Sequence, residues 1–237
     1  MTDHAILSAD DHRDLRVQTM RGAELGDAVM CCIAVPDEFR QVQNDYPILF
    51  RLDVEHDTFT ALAMFGFQNG ENLFLDGGRW DADYLPLAIA IQPFLIGGSA
   101  ADREKQVHID LASARIGGAE GMRIFDGDGR PTPYLETVIA KLGALDAGYQ
   151  ESHDFFAALR RHALLEPLSL EITLDDGSTN RLVGFHVIDE ARLRALDSAT
   201  TAELHEAGHL MPIFMALASL GKLRGLIARK NRQFGHG

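Results

Sequence analysis

Leu168–Ile188 reads LSLEITLDDGSTNRLVGFHVI, two runs of alternating or β-rich residues on either side of Asp175-Asp176-Gly177-Ser178. Successive side chains in a strand point to opposite faces, so Glu171 and Thr173 lie opposite the leucines. The Asp-Asp-Gly-Ser break has the residues that favour a tight turn. The stretch is therefore a β-hairpin, and a hairpin with one apolar face needs further strands or a helix to cover it.

The sequence on the amino-terminal side provides both. Ala28–Val35 (AVMCCIAV), Tyr46–Leu52 and Phe59–Phe67 read as strands, and Pro36-Asp37-Glu38 suits the first turn of a short helix through Gln43. Asn69-Gly70 before Glu71–Asp76 is a two-residue hairpin signal, with Gly77-Gly78 ending that strand. Trp80–Phe94 carries Pro86 and Pro93 and reads as a loop with a short helix, and Gln106–Leu111 returns as a strand. The connector GDGRPTP, Gly127–Pro133, ends in Thr132 as a helix cap and Pro133 as a first helical residue.

Leu135, Val138, Ile139, Leu142, Leu145, Tyr149, Phe156 and Leu159 then follow helical spacing, predicting one helix from about Pro133 to Leu164 that Gly143 and Gly148 weaken or bend. On the carboxyl side of the hairpin, Asp189–Leu196 is a short capped helix. Thr200–Arg232 is helical with interruptions at Pro212 and Gly221. The expected fold is α+β: a mainly antiparallel sheet with hairpins, one long central helix and a C-terminal helical segment. One domain over 1–237 is expected, with any subdivision falling near 127–133.

The formal charge of −13 argues against a nucleic-acid partner, which would need a basic surface. That charge is uneven. No Asp or Glu follows Glu206, whereas Lys222, Arg224, Arg229, Lys230 and Arg232 all lie beyond it. Such a tail either complements the negative end of its own helix or contacts an acidic partner or a membrane surface. The start, MTDHAILSADDHRDL, lacks the basic and apolar regions of a secretory signal, and the apolar run Leu210–Gly221 is too short to span a bilayer. A cytoplasmic location with no transmembrane segment is the expectation. Cys31 and Cys32 are adjacent, so a bridge between them would be strained, and two buried free thiols are expected.

His205-Glu206-Ala207-Gly208-His209 satisfies H-E-x-x-H, in which two histidines on one helical face bind zinc and the glutamate activates water. The expected helix would place His205 and His209 one turn apart. The extended form of the motif fails, because Pro212 and Met215 stand where a Gly and a third His belong. No downstream carboxylate exists, and His236 is the remaining downstream donor. Asp126-Gly127-Asp128-Gly129 is a turn and not a calcium loop, since Arg130 and Thr137 occupy ligand positions. No phosphate-cradling glycine motif and no G-x-S-x-G elbow occurs. No cofactor is called for. The absence of a complete catalytic set favours a binding protein over an enzyme, with a metal-dependent hydrolase using His205 and His209 as the alternative.

Tyr46-Pro47-Ile48-Leu49-Phe50, Gly70-Glu71-Asn72-Leu73-Phe74-Leu75-Asp76, Gly78-Arg79-Trp80, Tyr84-Leu85-Pro86 and Pro93-Phe94 together resemble the SapC family of bacterial proteins. The resemblance extends to His12–Val17, Leu165–Leu168, Gly184–Glu190 and Leu217–Leu223. It implies a non-catalytic accessory or binding protein, linked to surface layers or outer-membrane uptake systems, that recognises a peptide or protein partner. Independently, Glu71, Asn72, Arg79, Trp80 and Tyr84 combine aromatic and hydrogen-bonding groups near an expected hairpin end, the composition of a recognition surface. The structural alternative has Asn72 capping a turn, Trp80 packing beneath the hairpin and Glu71 paired with Arg79.

Overall fold

In the computed structural model, which describes residues 3–98 and 105–234, Leu165–Thr173 and Thr179–Ile188 form the hairpin of the opening stretch. They pair antiparallel from Leu165 opposite Ile188 to Thr173 opposite Thr179, with an irregularity between Leu168 and Leu170. The fold is α+β. Its largest sheet has five strands, all antiparallel, in the order Leu165–Thr173, Thr179–Ile188, Ile48–Asp53, Thr58–Met64, Cys31–Ile33. Ile48–Asp53 and Thr58–Met64 are a hairpin in register from Ile48 opposite Ala63 to Asp53 opposite Thr58. Cys31 and Cys32 are free on the edge strand; as whole residues both are half-buried, and burial raises the pKa of both thiols, that of Cys32 well above its ordinary value.

The chain divides into two units interleaved in sequence. The first comprises Met1–Ala28, Leu75–Asp81 and Leu87–Ala147, and the second Val29–Phe74, Ala82–Pro86 and Gly148–Gly237. In the first, a three-stranded antiparallel sheet has the order His4–Ile6, Gln106–Asp110, Phe94–Gly97. Two smaller pairs join Arg16–Val17 to Met122–Arg123 and Leu75–Asp76 to Arg79–Trp80. Phe94, Ile109, Ile124, Leu135, Val138 and Leu142 belong to one buried cluster, so the front of the long helix supplies its stripe to this core.

The first unit also buries charge. Asp27 is fully inaccessible, and its carboxylate accepts from Arg115 at 2.5 Å and from the Gly22 amide at 2.9 Å. Arg115 donates besides to the carbonyls of Gln18 and Met20, at 3.2 and 2.9 Å, and Arg21 reaches Asp27 at 3.4 Å. A buried guanidinium that satisfies a carboxylate and two carbonyls pins the segment from Gln18 to Asp27.

The long helix is Pro133–Arg161. Thr132 Oγ1 caps it by accepting from the Leu135 amide at 3.4 Å, and Pro133 stands first, where no amide hydrogen is needed. It ends earlier than the apolar stripe predicts. Ala163 takes a left-handed φ of 49°, and the Leu164 amide turns back to the Leu159 carbonyl at 2.8 Å, which closes the last turn. Gly143 and Gly148 do not interrupt it. A Cβ on Gly148 would lie 2.7 Å from Val35 Cγ2, so this glycine permits close packing.

Two expected elements shift. Asn69-Gly70 does turn the chain, with Gly70 at φ 79°, but no ladder follows it. The two-residue hairpin lies at Gly77-Gly78, both at positive φ as a primed turn requires, between Leu75–Asp76 and Arg79–Trp80. In the C-terminal segment the helices are Ser198–Glu206, Leu210–Ser219 and Leu223–Phe234, with a tighter turn at Leu220–Lys222. The break falls at Gly208, φ 74°, and not at Pro212. Pro212 is the third residue of its helix, within the first turn, whose amides have no intrahelical acceptor.

Candidate functional site

The break at Gly208 sets where the two histidines stand. The helix Ser198–Glu206 closes with the Gly208 amide on the His205 carbonyl and the His209 amide on the Leu204 carbonyl. His209 then precedes the next helix, with its carbonyl accepting from Ile213 at 3.2 Å. The two imidazoles therefore do not stand one turn apart on a continuous helix, contrary to the motif's expectation. His205 is exposed and faces a shallow depression with Leu196, Ser198, Thr201, Ala202 and Leu210. His209 lines a different cleft. Among the described residues no group of three or more His, Cys, Asp or Glu could hold a metal ion, and His236 lies outside them.

The cleft at His209, about 350 Å³, is built within the second unit from three separated segments. Pro36, Asp37 and Arg40 come from the short helical turn after the edge strand. Gly148, Glu151, Ser152 and Phe155 come from the back half of the long helix. Ala207–His209, Met211, Pro212 and Met215 complete it. Phe155 and Met215 are buried, and the His209 ring meets Phe155 edge-on, centroids 5.6 Å apart. Burial lowers the pKa of His209, which favours a neutral ring at neutral pH.

Around this apolar ground stand Asp37, Arg40 and Glu151, all exposed. Among the described residues their side chains form no hydrogen bond or ion pair within the protein. The Arg40 carbonyl accepts from the Gln43 and Asn44 side chains. Ser152 turns its hydroxyl onto the Tyr149 carbonyl at 2.7 Å. An apolar floor, adaptable methionines and charges of both signs suit a ligand with an apolar side chain and charged ends.

The residues expected at the hairpin end are placed otherwise. Arg79 and Trp80 belong to the first unit, in the strand that follows Gly77-Gly78, and Glu71, Asn72 and Tyr84 belong to the second. None of the five lines the cleft at His209. Arg79 is exposed and Trp80 is half-buried. Glu71 pairs with Lys230, rather than with Arg79, and also accepts from the Phe67 amide at 2.8 Å. Asn72 is buried and its carbonyl oxygen accepts from the Phe74 amide at 3.0 Å.

Tyr84 donates its hydroxyl to Glu38 at 2.8 Å, its amide donates to Asp45 at 3.0 Å, and its carbonyl accepts from the Tyr46 hydroxyl. Burial, followed by the Glu38 carboxylate, raises the Tyr84 pKa well above its ordinary value. Tyr46 in turn packs edge-on against Phe65 and Phe74, at 5.2 and 4.7 Å, with the Arg229 guanidinium 4.2 Å from the centre of the Phe74 ring. Within the second unit these motif residues hold Ala82–Pro86 and the turn after Phe67 in place.

The cleft residues carry no sequence signature of their own. Pro36-Asp37 read as a helix start and Met211–Met215 as part of an apolar run. The one local signal was Gly208, whose position before His209 marks a chain reversal and not a helical pair.

This is an α+β protein whose second unit carries a mixed-charge cleft. The chain belongs to the SapC family, whose model matches residues 7–226. No curated protein and no solved structure matches it.

Proposed function

We propose that this SapC-family chain is a non-catalytic binding protein that takes a short peptide, or an exposed segment of a protein, into the cleft at His209. The observation that carries the reading is the arrangement of Asp37, Arg40 and Glu151, charged and without side-chain partners among the described residues, around Phe155, Met211 and Met215. A peptide supplies the matching chemistry. Its carboxylate or acidic side chain pairs with Arg40, its amine or basic side chain with Asp37 or Glu151, and an apolar side chain enters between the methionines. A volume of about 350 Å³ is at the small end of ligand sites and fits a few residues rather than a folded domain.

The surface-layer or outer-membrane setting that the family resemblance implies is compatible with such a role, as an accessory that holds a segment of a partner protein. The binding reading is preferred to the hydrolase alternative because the helix that would carry His205 and His209 one turn apart ends at Glu206, with Gly208 at φ 74°.

Titration of the full chain with fluorescently labelled tripeptides, grouped by the central side chain, tests the proposal. Peptides with aliphatic or aromatic centres should bind, and Arg40→Ala should weaken them roughly tenfold, the loss of one charge-assisted hydrogen bond. Failure of every peptide group to bind, or undiminished binding by both Arg40→Ala and Asp37→Ala, would overturn it.

A further inference from the structure

The helices that follow the cleft carry a second surface of different chemistry. From Leu210 to Gln233 the chain is helical throughout, with the tighter turn at Leu220–Lys222, and by length and composition this segment is sufficient to cross a bilayer. Its most apolar window has a mean hydropathy of 1.5, yet 28% of that window is buried. A helix this apolar in a protein core would be largely covered. Here Met211 and Phe214 are more than half exposed, at 56% and 54%, and Ala218, Gly221, Lys222 and Gly225 continue the exposed strip at three- and four-residue spacing. Added Cβ atoms on Gly221 and Gly225 would meet nothing within 4 Å, which shows open space there.

Charge indicates what covers the strip. All 35 acidic residues lie at or before Glu206, and none interrupts the cations beyond it. Arg229 and Lys230 are committed to Phe74 and Glu71. Lys222 and Arg224 are exposed and form no ion pair among the described residues. Exposed apolar side chains beside exposed cations, with no carboxylate in the segment, match an anionic lipid surface, which offers apolar depth under negative headgroups.

The opposite face determines the orientation. Ile213, Ala216 and Leu226 are buried, and Ser219 accepts the Ile48 amide hydrogen at 2.8 Å, which fastens the helix to the five-stranded sheet. Crossing the bilayer would break that attachment and take Lys222 and Arg224 to the hydrocarbon centre. Lying flat leaves both intact. The chain's net charge of −13 opposes approach to anionic lipid, but salt screens it beyond about 8 Å at physiological ionic strength, so the local patch governs contact.

We infer that Leu210–Gln233 docks the protein on an anionic membrane surface, with Phe214 inserted at the headgroup level and Lys222 and Arg224 on the phosphates.

Co-sedimentation of the full chain with vesicles of phosphatidylcholine alone, or mixed with phosphatidylglycerol, tests this. Binding should occur on the mixed vesicles, be absent on the neutral ones and fall with added salt. Lys222→Gln/Arg224→Gln should weaken it roughly 30-fold, at the typical contribution of two membrane-proximal cations. Phe214→Ser should weaken it roughly tenfold through lost apolar burial. All three positions are exposed, and an unchanged circular dichroism spectrum shows that the variants fold. No binding to mixed vesicles, equal binding to both kinds, or undiminished binding by the double variant would each overturn the inference. So would a dimer in sedimentation velocity that Phe214→Ser dissolves while vesicles remain unbound, because a second copy would then be the occupant.

Discussion

Glu71 and Arg40 are both charged residues beside apolar ground in the second unit, and they differ in what they touch. Glu71, in the stretch that most resembles the family, meets Lys230 and the Phe67 amide. Its neighbours follow suit, with Asn72 holding the Phe74 amide and Tyr84 tied to Glu38, Asp45 and Tyr46. Arg40 sits on the rim of the His209 cleft in an unremarkable part of the sequence, and its guanidinium has no internal partner among the described residues. The contrast separates polar groups that hold the chain together from polar groups left available to a ligand.

Removing Lys230 should break the first region most severely. Lys230→Ala leaves the Glu71 carboxylate, whose side chain is 14% exposed, with the Phe67 amide but without its cation, and is expected to cost about 3 kcal/mol in urea denaturation, the lower end for breaking a buried pair. A loss under 0.5 kcal/mol would show that the pair is not structural. Asn72→Ala should cost about 1–2 kcal/mol by leaving the buried Phe74 amide without its acceptor. Heat or urea midpoints of this variant, measured beside Arg79→Ala, would sharpen the comparison, since exposed Arg79 is expected to lie within about 0.5 kcal/mol of the parent.

Acidification acts on the second region. Burial lowers the folded pKa of His209, and of His186, below the unfolded value near 6.5. The unfolded chain then binds protons that the folded chain resists, so stability present above about pH 6.5 declines as the pH falls below it. His209→Gln should flatten that decline and leave the part due to His186. A slope unchanged in the variant would remove His209 from the account. Arg40→Ala, like Arg79→Ala, is expected within about 0.5 kcal/mol of the parent, while peptide binding weakens.

Much of the fold was legible because alternation and capping are local. LSLEITL alternates where one face is buried, Thr132-Pro133 starts a helix, and both lie as expected. Asn69-Gly70 misled because a turn signal does not say whether its flanks will pair. The Leu73 amide instead reaches the Phe65 carbonyl, and the ladder forms around the next glycine pair. Pro212 looked like a break because proline disrupts helix interiors, whereas within a first turn it displaces no hydrogen bond. The cleft was illegible for a different reason. Asp37, Glu151 and His209 are brought together by tertiary packing, and a charge without a partner has no local sequence pattern.

Seven methionines offer a direct readout of where a ligand sits. With methyl-labelled methionine and a bound peptide from the tripeptide titration, the Met211 and Met215 methyl signals should shift, while those of Met30 and Met64 and the Trp80 indole signal stay in place. Unmoved Met211 and Met215 with a shifted Trp80 indole would place recognition at the Gly77-Gly78 hairpin and contradict the account.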